Sequence, residues 1–176
     1  MRTFHVAAAL LLGTSMLVSC TPAPTASGGF TEVTSSSGQI SSTDDGCTHS
    51  FLFDDFRVER AVAAASATSE AATHTWTASV TAPAHVAGAQ VSMDVRGALL
   101  GDGATGQIMV SFAGAQQTFE LTGADNFTHT FAAPAVEGAN ALEVTATLPA
   151  GSTEAAIHVD SVDLAVEGPF CAGAAE

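Results

Sequence analysis

Apolar and polar residues alternate in short runs from about residue 51 to residue 166, the period expected of strands with one buried face. In the longest run, every second residue from Ala89 to Val95 is apolar, and Leu99 continues the phase. Turn-forming glycine and aspartate residues separate many of the runs. The pattern predicts eight strands, within residues 51–58, 75–82, 89–99, 108–112, 118–121, 127–132, 142–148 and 157–166.

The first and last predicted strands each contain a one-residue slip in this alternation. In the first strand, large residues occupy odd positions up to Phe53 and even positions from Phe56. In the last strand, the same slip falls between Val159 and Val162. A β-bulge produces such a slip without moving the apolar residues off the buried face. We therefore predict one bulge in each strand, at the same level if the two strands pair antiparallel.

The N-terminus carries the layout of an export signal. Arg2 precedes an apolar run from Val6 to Val18, which is too short to span a bilayer. The overlapping segment Leu17-Val18-Ser19-Cys20 resembles the lipobox of bacterial lipoproteins. The resemblance implies cleavage before Cys20 and lipid attachment to it; the alternative is a signal peptide cleaved elsewhere. Thr21, in place of aspartate, favours the outer membrane if the source has one.

Residues 20–46 are rich in serine, threonine, glycine and proline and contain few large apolar residues. Such a segment cannot bury enough apolar surface to fold, so it is expected to be a flexible tether. The predicted organisation is a signal peptide at 1–19, a lipidated tether at 20–46 and one β-domain at 47–176.

The two remaining cysteines flank the predicted strands. Cys47 precedes the first strand and Cys171 follows the last. An even pair in an exported protein predicts a disulfide, which is consistent with terminal strands that lie side by side. Eight antiparallel strands with adjacent first and last strands favour an all-β jelly-roll sandwich. An immunoglobulin-like sandwich is the alternative.

The chain is strongly acidic, with no lysine and a net charge of -14. This charge repels phosphate backbones and anionic lipid headgroups, so nucleic acid is not an expected partner and the membrane is reached through the lipid anchor. The sequence contains no G-x-S-x-G, H-E-x-x-H or P-loop motif, and its histidines lack metal-ligand spacing. We therefore predict a non-catalytic protein.

The terminal strands also suggest a family. The segments from Phe53 to Val58 and from Val159 to Leu164 resemble the aspartate-containing edge strands of jelly-roll carbohydrate-binding modules and galactose-binding-like domains. The resemblance implies a glycan-binding domain, in many members with a structural calcium ion. Such modules usually present tryptophan and tyrosine to sugars, but this chain has no tyrosine and one tryptophan. That residue, Trp76, shares the phase of Ala78 and Val80 and is predicted to lie in the core.

Two groups of residues are candidates for binding. Gln90, Asp94 and Arg96 share the polar phase of one strand and are candidate ligand-binding residues. Strand parity places the loops 101–106, 122–126 and 149–154 at the end of the sandwich opposite the disulfide. That end would gather three carboxylates suited to calcium, those of Asp102, Asp125 and Glu154.

These features predict a lipid-anchored binding module of the cell envelope, with glycan as the favoured ligand. The alternative is a structural or assembly lipoprotein of the envelope that recognises another protein through a sheet face or edge.

Overall fold

The computed structural model describes residues 28–61 and 68–171. The predicted signal peptide and Cys20 lie outside these residues. Eleven strands and one short 3-10 helix form the described part of the chain. They are β1 Thr31–Ser35, β2 Gln39–Ser42, β3 Thr48–Leu52, β4 Arg57–Arg60, β5 Ala72–Ala82, β6 Gln90–Leu100, β7 Thr105–Phe112, β8 Ala115–Thr122, β9 Asp125–Pro134, β10 Gly138–Leu148, β11 Ala155–Val166 and the helix Pro169–Cys171.

The strands form two antiparallel sheets that enclose one apolar core. One sheet has the order β1-β5-β10-β7-β8 and the other β2-β3-β11-β6-β9, with β4 also paired to β11. The eight strands β4 to β11 therefore divide into β4-β11-β6-β9 and β5-β10-β7-β8, which is the double-sheet jelly roll. The predicted all-β jelly-roll sandwich is confirmed. Within the described residues, no helix is long and apolar enough to cross a membrane.

The predicted bulges lie at one level of the paired terminal strands. β3 and β4 both pair with β11, and the chain between them carries Asp54 and Asp55. On β11, the register against β6 shifts between Val159 and Ser161, which leaves Asp160 as the extra residue. The two strands are therefore the neighbours that the slips predicted, although the first is divided in two by its irregularity.

The predicted disulfide joins Cys47 to Cys171, with 5.8 Å between the two Cα atoms. It closes one end of the sandwich, where the amide of Val166 donates to the carbonyl of Cys47. Trp76 is 1% exposed and lies in the core as predicted, where its ring packs edge-on to Phe51 and Phe53.

The prediction of a tether at 20–46 is wrong for its described part. β1 and β2 extend the two sheets at their edges, before the predicted domain boundary at Cys47. All four residues of β2 are exposed, and β1 contributes no fully buried side chain. These strands are held by backbone pairing with β5 and β3, so the apolar signal that marks a core strand is absent from their sequence.

A neutral histidine is buried beside the disulfide end. His49 is 2% exposed; its Nε2–H donates to the carbonyl of Gly46 at 3.0 Å, and the hydroxyl of Ser42 donates to Nδ1 at 2.7 Å. Burial lowers the pKa of His49, and the Gly46 carbonyl and the charge of Asp45 offset only part of this effect.

Because the folded state disfavours the proton on His49, the unfolded state binds more protons once the pH falls below the ordinary histidine pKa of about 6.5. The free energy of unfolding should therefore be lower at about pH 5.5 than at about pH 7.5. In urea unfolding, His49→Gln should show a smaller difference between these two pH values. An unchanged difference in that variant would contradict a role for His49.

Candidate functional site

The predicted ligand-binding residues lie on the outer face of the six-stranded sheet. The guanidinium of Arg96 contacts Asp163 at 3.3 Å and Asp94 at 3.5 Å, and the hydroxyl of Thr130 donates to Asp94 at 2.6 Å. The structure thus brings Asp94 and Arg96 together in the middle of β6, while Gln90 is the first residue of that strand. The side chain of Arg96 is half exposed, so these ion pairs contribute little to stability and leave donors for a partner.

The predicted distal loops do share the end opposite the disulfide. The amide of Gly123 donates to the carbonyl of Ala104, and Leu99 pairs with Asp125 at the start of β9. Their carboxylates, however, do not form the predicted calcium site. No group of three or more histidine, cysteine, aspartate or glutamate residues able to hold a metal ion occurs in 28–61 and 68–171.

The three acidic residues lie on different elements, and each is exposed. Asp102 is exposed in the β6–β7 turn, and Glu154 is exposed before β11. Asp125 begins β9, the edge strand on the other side of β6. Sharing one end of a sandwich therefore does not bring side chains to coordination distance.

A buried arginine organises one of these loops. Arg60, at the end of β4, is 6% exposed. Its Nε donates to the carbonyl of Thr153 at 2.8 Å, and its other nitrogens donate to the carbonyl of Pro149 and the hydroxyl of Thr153. Gly151 provides the room, because a Cβ there would lie 2.6 Å from the guanidinium. No sequence pattern indicated this role, because it depends on contacts between residues 89 to 93 positions apart.

The structure also forms a cleft that the sequence did not predict. β8 and β9 are the terminal strands of opposite sheets, so the sandwich is open between them. The cleft there has a volume of about 220 Å³. Its lining includes the rings of Phe127 and His129, the polar residues Asp125 and Asn126, and residues of the neighbouring strands and turn, namely Leu99, Glu120, Leu121, Thr122 and Gly123. We call it the edge cleft.

The two rings of the edge cleft are held in a stack. His129 lies nearly parallel to Phe127, with ring centroids 5.6 Å apart, and nearly parallel to Phe119 of β8 at 4.6 Å. Nε2 of His129 is buried and has no hydrogen-bond partner in the described part of the chain. Phe119 and Phe127 thus hold the ring of His129 between the two strands, and its buried Nε2 has unused hydrogen-bonding capacity.

The sequence contains a signal for this cleft. Alternate residues of a strand share one side, so Asp125, Phe127 and His129 form a row on the inner side of β9. The phase of His129 indicates a core or edge position, and the open edge makes this row accessible. Alternation alone does not show which strands are terminal.

The pairing and the two sheets place the chain in the class of double-sheet jelly-roll domains. No protein-family model and no curated protein matches the chain. Solved structures with a similar backbone include TmCBM61 in complex with beta-1,4-galactotriose, at 12% identity and a TM-score of 0.39 over 77% of this chain and 88% of that one. CBM35 from Cellvibrio japonicus Abf62 is 18% identical, with a TM-score of 0.37 over 84% and 95%.

A third similar structure is the carbohydrate-binding module CBM36 in complex with calcium and xylotriose. It is 15% identical to this chain, with a TM-score of 0.35 over 77% of this chain and 100% of that one. At these identities and TM-scores, the similarities decide neither family nor ligand.

Proposed function

We propose that this protein is a non-catalytic glycan-binding module held at the cell envelope by a lipid on Cys20. The observation that carries the glycan proposal is the edge cleft. Sugars present apolar C–H faces that pack on aromatic rings, and hydroxyl groups that hydrogen-bond to carboxylates and amides. Phe127 supplies the aromatic ring, held in place by its stacking with His129, while Asp125 and Asn126 supply the polar groups. If the source has an outer membrane, we expect the protein to be anchored there.

Loss of the ring at residue 127 should weaken glycan binding about fivefold, since an aromatic contact contributes on the order of 1 kcal/mol beyond its area. The experiment is a glycan array with the full chain in detergent, followed by calorimetry on the glycan found. Phe127→Leu keeps apolar volume but removes the ring face. The matched control is Thr128→Ala, because Thr128 is the next residue of β9 and lies on the outer side of the sheet.

Equal affinity of the wild type and Phe127→Leu would contradict binding in the edge cleft, and a blank array from folded protein would contradict glycan binding.

The anchor is tested on the same preparations: the wild type should partition into the detergent phase and Cys20→Ser into the aqueous phase.

A second candidate function is recognition of an envelope protein by the outer face around Arg96. One observation favours it. Ser161 of β11 pairs with Leu52 of β3 on one side and with Arg96 of β6 on the other. Leu52 is 48% exposed. Leu52 and Arg96 place an apolar and a cationic side chain on the two strands that flank β11, and arginine is enriched in protein interfaces. A blank glycan array together with a co-purifying envelope protein that is lost in Arg96→Ala would support this function instead.

A further inference from the structure

The edge cleft contains a carboxylate that forms no ion pair within the described part of the chain. Asp125 is exposed, and its Oδ1 accepts the amide of Asn126 at 2.8 Å, which leaves the carboxylate further acceptor capacity. The other acid on the cleft, Glu120, accepts a hydrogen bond from Gln107 at 2.9 Å on the outer side of β8. Asp125 is therefore the acid that lies on the same side of its strand as the two rings.

Cations of the described chain are engaged elsewhere. The chain has no lysine. Arg57 pairs with Glu59, Arg60 donates to the 149–153 loop, and Arg96 pairs with Asp94 and Asp163. Within 28–61 and 68–171, no arginine forms an ion pair with Asp125. A ligand that enters the edge cleft therefore meets carboxylates and, among the described residues, no arginine.

The other groups in the cleft also favour a cation. The faces of aromatic rings carry negative potential and attract ammonium groups, most strongly where water is partly excluded. Phe127 offers such a face, and it lies one alternate position from Asp125 on β9. His129 stacks on Phe127 and adds a second aromatic ring beside it.

We infer that the edge cleft selects glycans that carry a free, protonated amine, such as hexosamine oligosaccharides without N-acetyl groups. This inference rests on the proposed glycan-binding function and adds the ligand class. The ammonium group pairs with Asp125 and lies against the ring of Phe127, and the sugar ring fills the rest of the cleft. An anionic sugar is repelled by Asp125 and by the net charge of -14.

Three β-1,4-linked tetrasaccharides that differ at C2 test the inference: tetraglucosamine, its N-acetylated form and cellotetraose. Calorimetry with the full chain in detergent should give an affinity for tetraglucosamine about tenfold higher than for the other two. Because the whole protein is acidic, the comparison is repeated at about 0.5 M salt, where long-range attraction is screened.

Asp125→Asn removes the charge but keeps the shape, and it should reduce the preference for tetraglucosamine to about threefold or less. Asp102→Asn is the matched control, since Asp102 is an exposed acid at the same end that does not line the edge cleft. It changes the net charge by the same amount and should leave the preference intact.

Binding of all three tetrasaccharides with equal affinity, or a preference retained in Asp125→Asn, would overturn the amine inference and leave the glycan proposal standing. Failure of all three to bind, together with a blank array, would overturn both.

Discussion

Replacement of Gly97 by alanine is expected to lower the free energy of unfolding by about 3 kcal/mol or more, because the added methyl group has no room. Gly97 lies on β6 opposite Val159, directly before the register shift of β11. A Cβ at this position would overlap the carbonyl oxygen of His158 and lie 2.8 Å from the ring of Phe127. The bulge thus brings β11 so close to β6 that only glycine fits between the strands.

The nearest obstacle to that methyl group is backbone, which gives the prediction its control. If the clash were mainly with the Phe127 ring, a smaller residue at 127 would restore stability. We expect the double variant Gly97→Ala/Phe127→Leu to be no more stable than Gly97→Ala alone. Thermal unfolding measures both, and a fall of about 10 °C or more is expected for Gly97→Ala. A fall of less than about 3 °C would contradict a backbone clash.

Gly97 also links the bulge to the edge cleft. Phe127 pairs with Gly97 across β6 and β9, and its ring occupies the space that a side chain at 97 would take. The position of one ring of the candidate site is therefore set by a glycine that the bulge of the terminal strand requires.

The terminal strands, the disulfide and the buried Trp76 could be predicted because they depend on sequence phase. The slips at 53–56 and 159–162 mark where the buried side of each strand changes from odd to even positions or the reverse. The alternation of apolar residues is enough to show this. Trp76 follows from the same reasoning, since it alternates with Ala78 and Val80. The disulfide then follows from the pairing of the two strands.

The edge strands and the candidate site could not be predicted in the same way. β1 and β2 bury almost nothing, so their serine-rich and threonine-rich sequence looks like a tether. The edge cleft depends on which strands are terminal, which is a property of sheet order and not of alternation. For Asp102, Asp125 and Glu154, the shared end of the sandwich follows from strand parity, but side-chain distance depends on turn geometry that the sequence does not specify.

Removal of the disulfide is expected to lower the free energy of unfolding by about 4 kcal/mol. Cys47 and Cys171 are 124 residues apart, and in the chain-entropy model a cross-link over a loop of this length removes about 4 to 5 kcal/mol of conformational freedom from the unfolded chain. Urea unfolding of the Cys47→Ser/Cys171→Ser variant against the oxidised wild type measures the difference. A loss below about 1 kcal/mol would show that the noncovalent contacts at this end, and not the disulfide, hold the two segments together.

The same variant separates stability from binding. The disulfide joins the chain before β3 to the short helix Pro169–Cys171, whereas the edge cleft lies at the opposite end of β6 and β9. At a temperature at which the variant is still folded, calorimetry should therefore show that it binds the same glycan as the wild type with unchanged affinity. Weaker binding by the folded variant would mean that the disulfide end contributes to the site, which would contradict the assignment of binding to the edge cleft alone.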